Sequence, residues 1–329
     1  MIGIASLSIS ALVGVSLAPP PTDQQVCEAP VVKTSQLDAW NLAGCEGEGR
    51  LVKFPDGRTG AIPEPGWTVT AASVTAVGYD PIPDVTVRRG VNGDVAVVVE
   101  DIATGQYTAY GDDTLAADIV AGGADQGESA VVPLSTNPKC DNYSYTFGNG
   151  GANGAKWIAA FPYYRKSGIL IPLTAIQGGI NAMANGTGAC TNLSNSASAS
   201  YKGTTSVSST ISSSGTCNAT DFVNVVDVGA LSASAVASTC TYKNSSEISY
   251  ADVRFNSAYT FYTSTSVTGC TGSKYDAQGI MTHEAGHVFG LGHVSSSTYQ
   301  VMKTPGEYCD TDQRKLGAGD LAGMKSLYP

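Results

Sequence analysis

The stretch HEAGHVFGLGH, residues 283–293, contains all three histidines of the 329-residue chain. His283 and His287 are spaced i, i+4, so on a helix both imidazoles project from one face and can hold one Zn²⁺. Glu284 follows the first histidine directly and can act as a general base on water at that metal. The stretch therefore predicts a helix that carries a zinc site with a base beside it.

The end of the same stretch predicts a third ligand. Gly290 can adopt a positive φ angle, which lets the chain leave the helix and turn back so that His293 reaches the same ion. Three protein ligands leave the fourth tetrahedral position open, as in catalytic rather than structural zinc sites. A bare H-E-x-x-H can occur by chance on an ordinary helix, but here five fixed positions coincide in a chain with no other histidine. We therefore expect one zinc ion per chain.

Composition limits the classes of partner. The net charge of −10 and the isoelectric point near 4.7 argue against nucleic acid or anionic membrane surfaces. Residues 1–18 are uncharged and apolar and end in Ser16-Leu17-Ala18, which predicts a signal peptide and a secreted protein. No other apolar run approaches the length of a membrane span, about 20 residues. We expect a secreted monomer without a transmembrane segment.

The cysteines predict disulfides rather than a metal or redox site. None of them has C-x-x-C spacing, and an even number in an exported chain suggests four bridges. The eight cysteines are Cys27, Cys45, Cys140, Cys190, Cys217, Cys240, Cys270 and Cys309. Two precede residue 50 and six follow residue 139, so we expect pairing within each group. A bridge between Cys270 and Cys309 would close a loop around the histidine stretch, although either could pair with another of the six.

Residues 19–139 are predicted to form a β-rich region. The runs that indicate strands are WTVT at 67–70, VTVR at 85–88 and VAVVV at 95–99. The segment 122–139 begins with three glycines within six residues and then contains two prolines, which indicates a boundary. The predicted organisation is thus a signal peptide at 1–18, a β-rich propeptide or accessory region at 19–139, and a second domain at 140–329.

The domain at 140–329 shows mixed helical and strand patterns. Apolar residues spaced 3, 4 and 3 apart predict one helix, and they are Leu173, Ile176, Ile180 and Met183. The Ser/Thr/Ala-rich tract 194–214 predicts a loop with a weak strand. Residues 321–328 predict a short closing helix, and the histidine helix is expected to begin at Asp276 and end at Gly290.

Residues 248–255 alternate between apolar and polar side chains, which predicts a half-buried strand. Ala251, Val253 and Phe255 would face the core. Tyr250, Asp252 and Arg254 would then face the opposite side.

The histidine stretch with a later methionine resembles the metzincin zinc metalloendopeptidases, and within them the matrixin-like branch. The resemblance covers residues 140–329. It rests on the stretch 283–293, on Met302 nine residues after the last histidine, and on LGAGDLAGMKSLY at 316–328, which is similar to the matrixin C-terminal helix. It implies an α+β fold in which a twisted mixed sheet and the zinc helix are followed by a small C-terminal subdomain.

This resemblance also implies an activity, the hydrolysis of peptide bonds in extended polypeptides. Zinc would polarise the scissile carbonyl while Glu284 takes a proton from water and returns it to the leaving amine. A strand-like substrate would add to a sheet edge, and the strand containing Ala251–Val253 is similar to the family's substrate-pairing strand. Met302 would lie beneath the metal with a structural role.

The chain departs from the matrixin pattern in three ways. No histidine remains for a second, structural zinc, and disulfides are the expected substitute. The family's P-R-C-G propeptide sequence is missing. Thr304 stands where some metzincins have a tyrosine that assists the oxyanion, and Tyr308 is assigned no catalytic role. Asp310 and Asp312 fall short of the six or more oxygens that calcium needs, so calcium binding is possible but unsupported.

Two hypotheses from different classes follow. The first is a secreted zinc endopeptidase made as a precursor, in which residues 19–139 are removed on maturation. The second is a secreted binding or adhesion protein whose region 37–132 is the functional module and whose zinc domain is secondary. The intact Glu284 favours the first hypothesis, because a decayed enzyme commonly loses its base.

Overall fold

The computed structural model describes residues 31–39, 42, 50–123, 137–148, 154–190, 193–244, 246–295 and 298–329. The expected signal peptide at 1–18, Cys27 and Cys45, and most of the expected boundary at 122–139 lie outside these residues. Among the helices that the structure describes, none is long and apolar enough to cross a membrane.

The strands of the described residues are β1 Val31–Lys33, β2 Leu51–Lys53, β3 Thr59–Ala61, β4 Trp67–Thr75, β5 Asp84–Arg89, β6 Val95–Asp101, β7 Gln106–Gly111, β8 Phe161–Lys166, β9 Ala199–Thr205, β10 Val225–Gly229, β11 Ala235–Asn244, β12 Glu247–Asn256, β13 Phe261–Tyr262 and β14 Tyr275–Asp276. The α-helices are α1 Asp113–Gly123, α2 Leu173–Ala184, α3 Ala277–Phe289 and α4 Ala318–Leu327. Short 3₁₀ helices span Thr34–Ala39, Pro138–Cys140 and Thr311–Arg314.

One large mixed sheet runs through both predicted regions. Within the described residues it has nine strands in the order β7-β6-β5-β4-β11-β12-β10-β8-β9, and β1–β3 form a separate small sheet. Neighbours from β7 to β12 are antiparallel, whereas β12, β10, β8 and β9 are parallel to one another. The fold is therefore α+β with a mixed sheet, as expected.

The β-rich region contains the strands that the sequence predicted, but they extend the sheet of the second region. Strand β4 pairs antiparallel with β11 along its whole length, from Trp67 opposite Asn244 to Thr75 opposite Ala235. Helix α1 was not expected in this region, and it packs Ala116 and Ile119 against β6. The residue pattern of β4 indicates a strand but does not indicate which strand pairs with it. The sequence alone therefore missed that the sheet continues from the first region into the second.

The expectation that residues 251–253 lie at the sheet edge was wrong. They belong to β12, which lies between β11 and β10. Its polar side chains are also largely buried, because residues 209–211 of the Ser-rich tract cover them. Asp252 accepts hydrogen bonds from Thr210 and from the Val225 N–H at 2.7 Å. Arg254 pairs with Asp227 at 2.8 Å. Polar side chains can be buried when they have hydrogen-bond or ion-pair partners. The alternating polar residues of β12 therefore do not face solvent.

The predicted helices of the second region are confirmed. Helix α2 buries Ile176, Ile180 and Met183, and together with α3 and α4 it packs against the sheet in the main hydrophobic core. Burial of each large apolar side chain stabilises the fold by about 1.5–3 kcal/mol. The tract 194–214 contains β9 and otherwise lacks regular structure, in agreement with a loop that has a weak strand.

Disulfides join residues of the second region to one another. The bridges are Cys140–Cys190, Cys217–Cys240 and Cys270–Cys309. Pairing within the later group is thus confirmed, including the bridge that encloses the histidine stretch. Cys240 lies on β11, next to β4 in the sheet.

Candidate active site

Helix α3 begins and ends where its capping residues predict. The Asp276 carboxylate accepts a hydrogen bond from the Gly279 N–H at 2.6 Å, which satisfies a free donor of the first turn. Gly290 ends the helix with a φ of 106°. A Cβ atom there would lie 2.2 Å from the Ala155 carbonyl oxygen, so this position requires glycine. The turn directs the following residues back toward the helix.

The turn brings His293 to the two histidines of the helix, His283 and His287. The Nε2 atom of His283 lies 3.1 Å from that of His287 and 3.1 Å from that of His293, and the last two are 3.2 Å apart. All three side chains are buried. Among the described residues this is the one cluster of histidine, cysteine or carboxylate groups close enough to hold a metal ion.

The other nitrogen of each ring is held by an oxygen. Nδ1 of His283 donates to the Val301 carbonyl at 2.7 Å and that of His287 to the Leu291 carbonyl at 3.0 Å. Nδ1 of His293 lies 2.8 Å from Oδ2 of Asp84. With Nδ1 as the donor, each Nε2 directs a lone pair toward a common point. This donor set fits a tetrahedral zinc ion with one open position.

Burial also favours the neutral form of His283 and His287, which is the form that metal ligation requires. It lowers the pKa of His283 well below its ordinary value and that of His287 to about 3, with neighbouring histidines as the next cause.

Glu284 lies beside this cluster and is completely buried. Burial raises the pKa of its carboxyl to about 8, and a hydrogen bond from Thr239 opposes the shift. Thr239 Oγ1 lies 2.5 Å from Oε2, while Oε1 has no hydrogen-bond partner among the described residues. One carboxylate oxygen is thus fixed by β11.

Met302 and Asp320 support the site from below. A Cβ atom on Gly286 would lie 2.1 Å from the Met302 sulfur, so the methionine packs directly against the zinc helix. Asp320 in α4 accepts hydrogen bonds from the backbone N–H groups of Val301 and Met302 at 2.8 and 3.2 Å. Since the Val301 carbonyl holds His283, Asp320 positions that ligand through the turn.

Sequence reasoning missed Asp320 and Asp84. Asp320 follows Gly317 by three residues, a spacing typical of a helix start, and this could have indicated a cap but not its bonds to the methionine turn. Asp84 is 209 residues from His293, and no local pattern could indicate the contact. It begins β5, within the region that was expected to be removed.

Asp310 and Asp312 lie at the start of a short 3₁₀ helix. Asp310 accepts a hydrogen bond from the Asp312 N–H at 3.2 Å and caps the short 3₁₀ helix Thr311–Arg314.

In this mixed α+β fold two of the three converging histidines lie on the buried helix α3, and the third follows its C-terminal turn. The matrixin family model matches residues 229–329, which include the histidine helix, Met302 and α4. This match supports a matrixin-like metzincin, a class of zinc-dependent peptidases. No curated protein and no solved structure matched the chain.

Proposed function

We propose that this protein is a secreted zinc endopeptidase that hydrolyses peptide bonds in extended polypeptides. The observation that carries the proposal is the convergence of three Nε2 atoms beside the buried carboxylate of Glu284. In this proposal His283, His287 and His293 hold one zinc ion. When bound, zinc would polarise the scissile carbonyl and increase the acidity of water in the cleft.

The residues of the chain supply proton transfer and orientation. Glu284 takes a proton from the attacking water through Oε1 and returns it to the leaving amine. Thr239 holds Oε2, so the carboxylate keeps its direction during the transfer. Val301, Leu291 and Asp84 fix the histidine rings, which keeps their ligand atoms aimed at one point.

The remaining parts of the proposal concern maturation. Residues 1–18 serve as a signal peptide, and residues 19–139 are a propeptide that is cut off in the segment 122–139. The N-terminal residue of the secreted protein tests this directly. A start between residues 133 and 142 supports a propeptide, and a start near residue 19 means that the region is permanent.

The alternative function is a binding or adhesion protein that works through residues 37–132. The pairing of β4 with β11 and the contact of Asp84 with His293 favour a role for this region at the zinc site rather than as a separate module. Binding by a secreted form that lacks peptidase activity would support the alternative.

The test of the catalytic proposal is Glu284→Gln in the purified secreted protein. The amide cannot accept a proton, so we expect one zinc per chain and a loss of at least about 10²-fold in kcat/KM. Glu247→Gln, a half-exposed position at the start of β12, is the matched control and should retain activity. Removal of zinc by a chelator should abolish hydrolysis, and added zinc should restore it. Unchanged turnover in either case would refute the proposal.

A further inference from the structure

A small cavity lies on the face of the large sheet that points away from helix α3. Tyr242, which lines the cavity, follows Thr239 by three residues on β11, so the two side chains point to opposite faces. Thr239 contacts Glu284, whereas Tyr242 packs with Cys240 and Tyr250 in a separate apolar cluster. The cavity is therefore on the other side of the sheet from the candidate active site.

Three aromatic side chains and one carboxylate line this cavity. Its volume is about 200 Å³, below the roughly 300–1,000 Å³ of pockets that hold drug-sized ligands, so a ligand must be small. The aromatic residues are Trp67, Phe222 and Tyr242, and Ile62 adds aliphatic surface. Among the described residues that line the cavity, Glu64 alone carries a charge. The lining is therefore mostly apolar, with a single negative group.

Phe222 is an exposed aromatic residue in a strained backbone conformation. It is 69 % exposed, and its φ is 60°, which bulky residues rarely adopt. Its N–H donates to Thr220 Oγ1 at 3.0 Å, and the N–H of Val223 donates to the Asp221 carboxylate at 3.0 Å. These bonds hold the loop in a conformation that presents the ring at the cavity. Backbone strain of this kind is found most often at functional sites.

Both segments that form the cavity are fixed by hydrogen bonds. The Tyr242 hydroxyl donates to the Asn218 carbonyl, which ties the loop before Phe222 to β11. The Trp67 N–H donates to the Glu64 carbonyl at 3.0 Å and closes the turn that leads into β4. The cavity is thus formed before a ligand arrives, and such preorganisation lowers the cost of binding.

This lining matches a cation that has an apolar surface. The face of an aromatic ring attracts a positive charge, and the carboxylate of Glu64 attracts it as well. An alkylated ammonium group fits best, because its carbon atoms make apolar contacts and spare it the strong hydration of a bare ammonium. An anion would be repelled by Glu64, and a neutral ligand would gain nothing from that charge.

We propose that this cavity binds the alkylated ammonium group of a small organic cation. The cation lies among Trp67, Phe222 and Tyr242, and the carboxylate of Glu64 balances its charge. Residues on both sides of the segment 122–139 line the cavity, so the site requires the intact chain. It is independent of the proposed peptidase function, because it lies on the other face of the sheet.

The test is calorimetric titration of choline into the intact purified protein. The control ligand is 3,3-dimethylbutan-1-ol, which has the shape of choline but no charge. We expect choline to bind saturably, with a Kd at least about tenfold lower than that of the alcohol, because only the cation gains from the rings and the carboxylate. The preference should shrink at high ionic strength, since salt screens the charge of an exposed carboxylate.

Two variants of exposed residues assign the site without disturbing the core. Phe222→Leu keeps an apolar side chain but removes the ring, and it should weaken choline binding about two- to fivefold. Glu64→Gln removes the charge and should weaken choline binding while leaving that of the alcohol unchanged. The matched controls are Tyr299→Leu, an aromatic residue that is 52 % exposed with a φ of 58°, and Asp118→Asn. Neither control should change the affinity.

Three results would overturn the proposal. The first is that choline shows no saturable binding. The second is that the neutral alcohol binds as tightly as choline, which would mean an apolar cavity without preference for a cation. The third is that Phe222→Leu and Glu64→Gln lose no more affinity for choline than the two control variants do.

Discussion

Replacement of Asp320 by alanine is expected to destabilise both the fold and the metal site. This buried carboxylate accepts three backbone hydrogen bonds. Oδ2 takes the N–H groups of Val301 and Gly317, both at 2.8 Å, and Oδ1 takes that of Met302 at 3.2 Å. Alanine would leave all three donors without their acceptor. Asparagine has the same shape but only one acceptor oxygen, so it separates loss of hydrogen bonds from loss of volume.

The magnitude follows from the number of donors that lose an acceptor. A buried polar group without a partner costs about 1–3 kcal/mol. Simple addition over three donors gives about 3–9 kcal/mol. Local relaxation reduces this sum, because neighbouring groups do not contribute independently. We therefore expect Asp320→Ala to lower the free energy of unfolding by about 3–6 kcal/mol. Asp320→Asn can keep the two bonds to one oxygen and lose the third, which predicts a loss of about 1–3 kcal/mol.

Urea unfolding of the zinc-free proteins measures these differences, with Asp118→Asn on the exposed side of α1 as the control. Zinc affinity should also fall in both Asp320 variants, because the Val301 carbonyl holds Nδ1 of His283. A change below about 0.5 kcal/mol for Asp320→Ala, the usual range for surface substitutions, would refute this account of the buried network.

Two further predictions concern the site's more distant supports. Asp84→Asn removes the carboxylate beside Nδ1 of His293. The zinc affinity of the intact chain, measured by competition with a chelator, should therefore fall about 10- to 100-fold. A zinc affinity equal to that of the Asp118→Asn control would contradict a role for this contact. Replacing Cys270 and Cys309 with serine opens a loop of sequence separation 39 that encloses the histidine helix. Loop-closure entropy predicts that the free energy of unfolding falls by about 4 kcal/mol. Urea unfolding without reductant measures this loss. A loss below about 1 kcal/mol would show that the bridge does not constrain the unfolded chain.

The sequence alone determined the elements whose causes are local. Helix α3 begins after an aspartate cap and ends at a glycine with positive φ. Each of these residues directly adjoins the end of the helix that it caps. The i, i+4 spacing of His283 and His287 places both rings on one face regardless of the rest of the fold. The sequence likewise predicted helix α2 from its apolar stripe, and strands from the runs at 67–70, 85–88 and 95–99. Periodic apolar residues show which face of such an element is buried.

Only the tertiary structure decided which strands are neighbours and which distant side chains meet. Val74 and Ala237 pair across more than 160 positions of the chain, and nothing in either segment specifies the other. The alternation along β12 predicts a solvent-exposed polar side, but the tract around Thr210 covers that side and satisfies its buried groups.

Asp84 and Asp320 gain their roles for the same reason. Each carboxylate acts through hydrogen bonds to residues that only the packed fold brings near. Local periodicity reports which side of an element is buried, whereas strand pairing and buried polar networks depend on contacts between segments that the sequence keeps apart.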